Sequence, residues 1–524
     1  MKKTVGLCIL VLLFSFVHAQ KPNWQNLDFK TDSVFGISTE KAYSELLKNK
    51  KAKLVIVAVM DIGTDIAHKD LQSVIWTNYR EIPENGIDDD HNGYVDDLHG
   101  WNFIGSEIGK EDLVNLMKPK KGFYDSLSYA MVPEAYRTKY HAYRKLSNDY
   151  PGHVNGLKAI IQSLENAKQV LDSIVKKMDK QDPTVEDLKN YQPANDQEKQ
   201  LLSLVIPRLP LYSCFGEYKK REIEGPLELS NYHISHGLSF EDTARDSPLQ
   251  HTFNNGDISN DITGPIINPN SAAMHGTHIA GIIAAVRDNN IGIKGVADHV
   301  QIMTLKVMSS YRELRDKNLA EAIRYAVDNG AKVINLSFGK SYTWDKKDVD
   351  DAVKYAMRKD VLIVHAAGND GLNLDDKSNP CFPSKYYLDG SGEANAWITV
   401  GASGWIDDAS LIAPFSNYGK KTVDVFAPGV QINSTIPGSE YRTMSGTSMA
   451  TPVVVGLAAL IREYYPNLSA VQVKDIILKS VVKPSHIVNI KDGNETKRVF
   501  LRDICVAGGV VNAYEALKLA KVYK

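Results

Sequence analysis

Lys53-Leu-Val-Ile-Val-Ala-Val59 is a continuous apolar, β-branched run, the pattern of a strand buried on both faces in a parallel sheet. Similar runs recur at Ala331–Leu336, Val361–Val364 and Trp397–Val400. Helix-period segments lie between them at Leu319–Asn329 and Asp348–Arg358. Strands alternating with helices predict an α/β fold: a mostly parallel sheet with helices on both faces. Residues 105–250 break this rhythm. Leu157, Ile160, Leu164, Ala167, Leu171, Ile174 and Met178 repeat at spacings of three and four, which predicts a long amphipathic helix. Tyr136, Tyr140 and Tyr143 put a second stripe on an earlier helix. Both stripes read as helix-to-helix packing. The expected organisation is a core of residues 20–104 and 251–524, interrupted by a helical insertion at 105–250.

The first 19 residues follow a third pattern. Lys2 and Lys3 precede the nearly unbroken apolar stretch Val5–Val17, and Val17-His18-Ala19 offers a cleavage site for signal peptidase. That run is shorter than the ~20 residues of a membrane span, so export with cleavage after Ala19 is expected, and no stable membrane insertion. The chain carries 61 basic and 63 acidic residues, a formal net charge of −2, which argues against a nucleic-acid partner. The insertion is equally balanced, with 20 basic and 21 acidic residues, and gives no electrostatic hint of a partner. Beyond the leader, Cys214, Cys381 and Cys505 allow at most one internal disulfide.

Four local motifs carry chemistry. Gly446-Thr-Ser-Met-Ala-Thr-Pro452 places Ser448 just before a helical run, where free N–H groups and the helix dipole favour negative charge. His275-Gly-Thr-His278 opens a second small-residue helix. Val57-Ala-Val-Met-Asp61 puts a carboxylate at the carboxyl end of a buried strand, where open α/β sheets build their sites. Ala366-Ala-Gly-Asn369 sets an asparagine in a tight turn after another such strand.

Together these motifs resemble the subtilisin-like serine peptidases, the subtilases, over roughly residues 23–104 and 251–524. The order Asp, His, Ser is the subtilisin order. The resemblance implies a subtilisin-like three-layer sandwich and a serine endopeptidase acting on polypeptides. It implies Ser448 as nucleophile, His275 as general base, Asp61 as the carboxylate that orients the base, and Asn369 as side-chain donor to the oxyanion. His278 is expected to be a structural neighbour. The segment Asn335–Gly339 is similar to the one that pairs with substrate backbone, so Ser337, Phe338 and Gly339, with Ala367 and Gly368, are implied substrate-binding residues. Phe338 and Lys340 leave the side-chain preference open. Ile62 departs from the family's usual Ser or Thr after the aspartate. The 41 residues between Ala19 and Asp61 are too few for a separate pro-domain as well as the first strand. Gly-x-Ser-x-Gly is absent around Ser448, which disfavours an α/β-hydrolase lipase. Alternatives are a processing protease dedicated to one partner protein and a weakly active peptide-binding module.

Asp88, Asp90, Asn92, Tyr94 and Asp96 stand at alternate positions around Gly93, the spacing of an oxygen-lined calcium loop. His99 occupies the position where an EF-hand has its bidentate Glu, so an isolated loop holding structural calcium is expected. By resemblance to the family, Asp70 is a further calcium ligand.

Overall fold

The computed structural model describes residues 21–83, 85–103, 132, 137–206, 209, 214–232, 273–308, 314–492 and 495–523. The expected leader therefore lies outside the described residues, as do parts of the insertion. Seven strands form the central sheet: β1 (Val55–Asp61), β2 (Gly100–Asn102), β3 (Val300–Lys306), β4 (Val333–Leu336), β5 (Leu362–Ala366), β6 (Trp397–Ser403) and β7 (Val425–Pro428). Their order is β2-β3-β1-β4-β5-β6-β7, and every pairing is parallel.

The strands are apolar on both faces because both are covered. Along β1, Val57 and Val59 belong to one buried cluster, whereas Ala58 and Met60 belong to another. The first cluster includes Ile279 and Ile283 of the helix Met274–Ala284 and most of the helix Thr447–Tyr464. The second takes Leu319, Ile323, Val349 and Val353 from the helices Asp316–Asp328 and Lys346–Arg358. Period-two alternation thus feeds two helical layers, and each fully buried aliphatic side chain contributes roughly 1.5–3 kcal/mol. The helix Thr447–Tyr464 is apolar around nearly its whole circumference, as its position between the sheet and the helices Met274–Ala284 and Ala470–Lys479 requires.

In the insertion, the expected pair of helices is one: Arg137–Met178 runs unbroken for 42 residues and contains Tyr140, Tyr143 and the later seam. Pro151 removes a single N–H from that ladder, and the helix continues past it. The seam is covered only towards its end. Leu171 and Ile174 are fully buried against Leu188, Leu202 and Phe215, while Ile160 is 49% exposed. Every member of this cluster lies between Leu164 and Ile223, within the insertion itself. Cys214, Cys381 and Cys505 are all free thiols.

Candidate active site

β1, β4 and β5 point their carboxyl ends at one crevice, beside the strand from which the chain winds in both directions. Asp61 ends β1 and is completely buried. The next peptide N–H, from Ile62, donates to its Oδ1 at 2.8 Å. His275, near the start of its helix, places Nδ1 2.9 Å from both carboxylate oxygens. The helix reaches β1 this closely because residue 276 is glycine. A Cβ there would stand 2.0 Å from Gly63 O. Since a carboxylate only accepts, Nδ1 carries the proton and neutral His275 keeps Nε2 as an acceptor. Burial draws the ring's pKa down, but the Asp61 charge and hydrogen bond outweigh it, leaving His275 above the ordinary imidazole value.

Ser448 lies in the first turn of the helix Thr447–Tyr464, where amide groups have no helical acceptor. Its hydroxyl donates to Ser337 O at 2.9 Å, just past β4. The reverse contact has a sequence cause. Pro452 cannot donate to the carbonyl four residues back, which is Ser448 O, and Ser337 Oγ donates to it instead at 3.0 Å. A hydroxyl has one proton, so donation to Ser337 and donation to an imidazole are alternative states of Ser448.

Asn369 follows β5 and is held by the same helix end. Its Oδ1 accepts from Thr447 N–H at 2.8 Å and from Thr447 Oγ1 at 3.0 Å. Thr447 Oγ1 in turn accepts from Gly368 N–H at 3.1 Å. These bonds fix the amide orientation and leave Nδ2 as a donor. Gly446 marks the space it faces: a Cβ there would lie 3.6 Å from both Asn369 Nδ2 and Ser448 N. Two N–H donors therefore border one small volume at a helix N-terminus.

A sequence model described as the subtilase family matches residues 52–499. The chain belongs to the subtilase family. It is 43% identical over 187 residues to a thermophilic serine proteinase of Bacillus sp. (strain AK1), covering 36% of this chain and 42% of that one. It is 39% identical over 201 residues to subtilisin BL of Lederbergia lenta, covering 38% of this chain and 67% of that one. It is also 39% identical over 247 residues to the cell wall-associated protease of Bacillus subtilis (strain 168), covering 46% of this chain and 25% of that one. The matches thus span from a quarter to two thirds of the relatives' lengths.

The wall residues of this subtilase divide by exposure. Gly339 is exposed, and Phe338 and Gly368 are half-buried. Ser337 and Ala367 present almost no surface. The Ala367 amide donates to Val400 O, and its carbonyl accepts from Asn417 Nδ2. Ala367 therefore supports the crevice without offering a free backbone group. Lys340 turns its ammonium inward to Asp316 Oδ1 at 2.6 Å and Leu314 O at 2.9 Å, so its charge does not face the crevice. Behind Gly339 stand two residues that motif reading passes over. A Cβ on Gly339 would meet Cys381 Sγ at 2.9 Å and His365 Nε2 at 3.9 Å. Burial pushes the Cys381 thiol up to about 12 and the His365 ring down to about 4. Both stay neutral at pH 7. They border a cavity of about 210 Å³ that also touches Phe382 and Thr399. His278 Nε2–H donates to Arg442 O at 2.9 Å, away from Asp61.

The acidic loop differs from its expected ligand set. Glu81, Asp90 and Asp97 bring carboxylate oxygens within 4.8 Å of one another, and only Asp90 was expected. Asp88 accepts from the Asn92 and Gly93 amides. Asn92 Oδ1 accepts from Tyr94 N–H, and Asp96 caps the Asn85 and Gly86 amides. The Tyr94 ring packs on Trp101 and Tyr325. The alternating residues bond along the turn, and Asp90 among them joins Glu81 and Asp97, from outside the spacing, in the carboxylate cluster. Gly93, at φ +96°, makes that turn possible. Asp70 shares no hydrogen bond with this loop. It is completely buried and accepts from Asn289 Nδ2, Ile293 N–H and Tyr441 Oη.

Proposed function

We propose that this subtilase is an exported serine endopeptidase that cleaves polypeptides through an acyl-enzyme. The reading is supported by the Asp61–His275 pair at the end of β1 and by the placement of Ser448 against Ser337, just past β4, on the helix turn that also holds Asn369, just past β5. In this reading Ser448 leaves Ser337 O and gives its proton to His275 Nε2 as it attacks the scissile carbonyl. Asp61 stabilises the imidazolium so formed. The oxyanion enters the volume between Asn369 Nδ2 and Ser448 N–H. His275 then returns the proton to the leaving amine, and water releases the acyl group. An extended substrate pairs with the exposed rail around Gly339, a mode that asks little of side-chain sequence.

Export rests on the pattern of residues 1–19, and a relative in Bacillus subtilis is named for its association with the cell wall. The deciding experiment is sequencing of peptides released from a mixed proteome, with the Ser448→Ala protein as blank. Many cleavage sites would support a general endopeptidase. Release from one protein alone would support the processing reading, and no release would refute peptide hydrolysis.

Asn369→Leu is expected to lower kcat by about 10²–10³-fold with KM little changed, because the oxyanion exists only after attack. An unchanged kcat would remove Asn369 from the oxyanion site.

The acidic loop is proposed to hold structural calcium. Three carboxylates suit a hard cation that takes oxygen ligands, and Glu81, Asp90 and Asp97 would be the residues to hold it. An ion bound only by the folded state stabilises it by about 2.7 kcal/mol at a hundredfold excess over its dissociation constant. Calcium added to the metal-free Ser448→Ala protein, which is spared self-digestion, should therefore raise its melting temperature. Glu81→Gln with Asp90→Asn should abolish that response. A double variant that responds like its parent places the ion elsewhere.

A further inference from the structure

The amino-terminal pole of the sheet, opposite the Ser448 crevice, holds a second group of chemistry-bearing side chains. Asp298 and His299 immediately precede β3, and Glu463 is the penultimate residue of the helix Thr447–Tyr464. Ligand atoms of all three lie within 4.8 Å of one another. Glu463 is completely buried; its Oε1 accepts from the His299 amide at 3.3 Å, and its Oε2 has no partner. Asp298 Oδ1 is likewise without a hydrogen bond, although His299 Nδ1 approaches it to 3.2 Å. Among the described residues no Lys or Arg pairs with either carboxylate. Arg287, which stands over the neighbouring Tyr43 ring, is committed to Glu40.

A buried carboxylate without a counter-charge is costly, and a cation between these groups removes the cost. The unaligned approach of Nδ1 and Oδ1 is what two ligands of one centre show. Donors about 2.0–2.1 Å from a tetrahedral zinc ion stand roughly 3.3 Å apart. One imidazole with two carboxylates suits zinc and its neighbours, whereas calcium takes oxygen alone. The site also caps the negative end of an 18-residue helix, where positive charge is favoured. His299, with its side chain 54% exposed, opens the group to solvent.

We propose that Asp298, His299 and Glu463 form a zinc-type metal site that ties the start of β3 to the carboxyl end of the helix carrying Ser448. Backbone contacts already converge there: Val55 N–H donates to His299 O, and Lys53 N–H donates to Glu463 O. The ion would clamp the far end of the element whose first turn holds Ser448 and orients Asn369. Its role is structural, because the crevice lies at the other end of the strands.

The test uses the full-length Ser448→Ala protein, stripped of metals and then kept in excess calcium. Zinc titrated into it is expected to bind one to one by calorimetry and to raise the melting temperature. Cobalt(II) in its place is expected to give the visible absorption of a four-coordinate ion. His299→Ala, a change at a half-exposed position that spares the fold, should weaken zinc binding on the order of a hundredfold or more. Even hydrogen-bond partners of metal ligands are worth tenfold to a hundredfold. Glu463→Gln should abolish binding, and Asp90→Asn should leave it intact. Absence of stoichiometric zinc binding in the parent would overturn the proposal, as would unchanged affinity in His299→Ala. A parent indifferent to zinc, with Glu463→Gln melting higher, would assign the pair a shared proton instead.

Discussion

Ser448→Ala and His275→Ala are each expected to lower kcat by roughly 10⁶-fold, and the double variant by little more. The magnitude is that of subtilisin itself, where nucleophile and base act as one unit. The geometry here gives the reason for non-additivity. Ser448 Oγ rests on Ser337 O, so the hydroxyl gains nucleophilic character only when it transfers its hydrogen bond to His275. Without the imidazole no acceptor in the triad takes the proton, and without the hydroxyl the imidazole has nothing to activate. The residual rate would come from Asn369 Nδ2 and Ser448 N–H, which either single change leaves in place. Kinetics on a small peptide substrate checks this, together with a serine-directed fluorophosphonate that should label Ser448 alone. Effects that multiply across the double variant, or labelling of another serine, would dissolve the assignment.

Asp61, His275, Ser448 and Asn369 could be singled out in the sequence because each belongs to a local pattern. A buried strand ending in Asp61 and two helices beginning near His275 and Ser448 are signals contained within about ten residues. The parallel sheet then brings Asp61 and His275 into contact across 214 positions. What was not legible depends on neighbours from distant segments. Cys381 and His365 converge behind Gly339 only after β5 and the loop before Pro383 are folded. Lys340 reads as a charge beside the crevice until Asp316, on another element, turns it inward. The alternating spacing from Asp88 to Asp96 folds as a tight Asx-rich turn. It does not report which carboxylates converge, and Glu81 enters from outside the motif. In the insertion, the two apolar stripes read as two helices, yet they lie on one 42-residue helix whose ladder absorbs the loss of one N–H at Pro151.

Ile62 illustrates how a departure from family pattern can be compensated by backbone. A Ser or Thr there would offer a side-chain hydroxyl, whereas here the Ile62 peptide N–H supplies a bond to Asp61 Oδ1 at 2.8 Å. The buried carboxylate thus keeps a donor besides the imidazole. That donor also determines what happens when the carboxylate becomes an amide.

Asp61→Asn is expected to lower kcat about 10⁴-fold while leaving the fold intact. In the variant, the amide oxygen is drawn to the Oδ1 position, because only an oxygen can accept from Ile62 N–H. The NH₂ group then takes the place of Oδ2 and meets His275 Nδ1, 2.9 Å away, as a donor. Nδ1 must become the acceptor, the proton moves to Nε2, and the nitrogen that should receive the Ser448 proton no longer can. The pH profile separates this from simple loss of packing. In the parent, burial lowers the His275 pKa, but attraction to Asp61 raises it further, so the net value lies above about 6.5. Turnover requires the neutral ring and is lost as pH falls through that raised pKa. In Asp61→Asn the attraction is gone and burial remains, so the acid limb of the small residual activity should move to lower pH. Peptide kinetics from pH 4 to 9 on both proteins, with melting temperatures measured alongside, tests both statements. A variant that keeps a tenth of the parent rate, or an acid limb that stays in place, would mean that His275 does not depend on Asp61 for its charge or its tautomer.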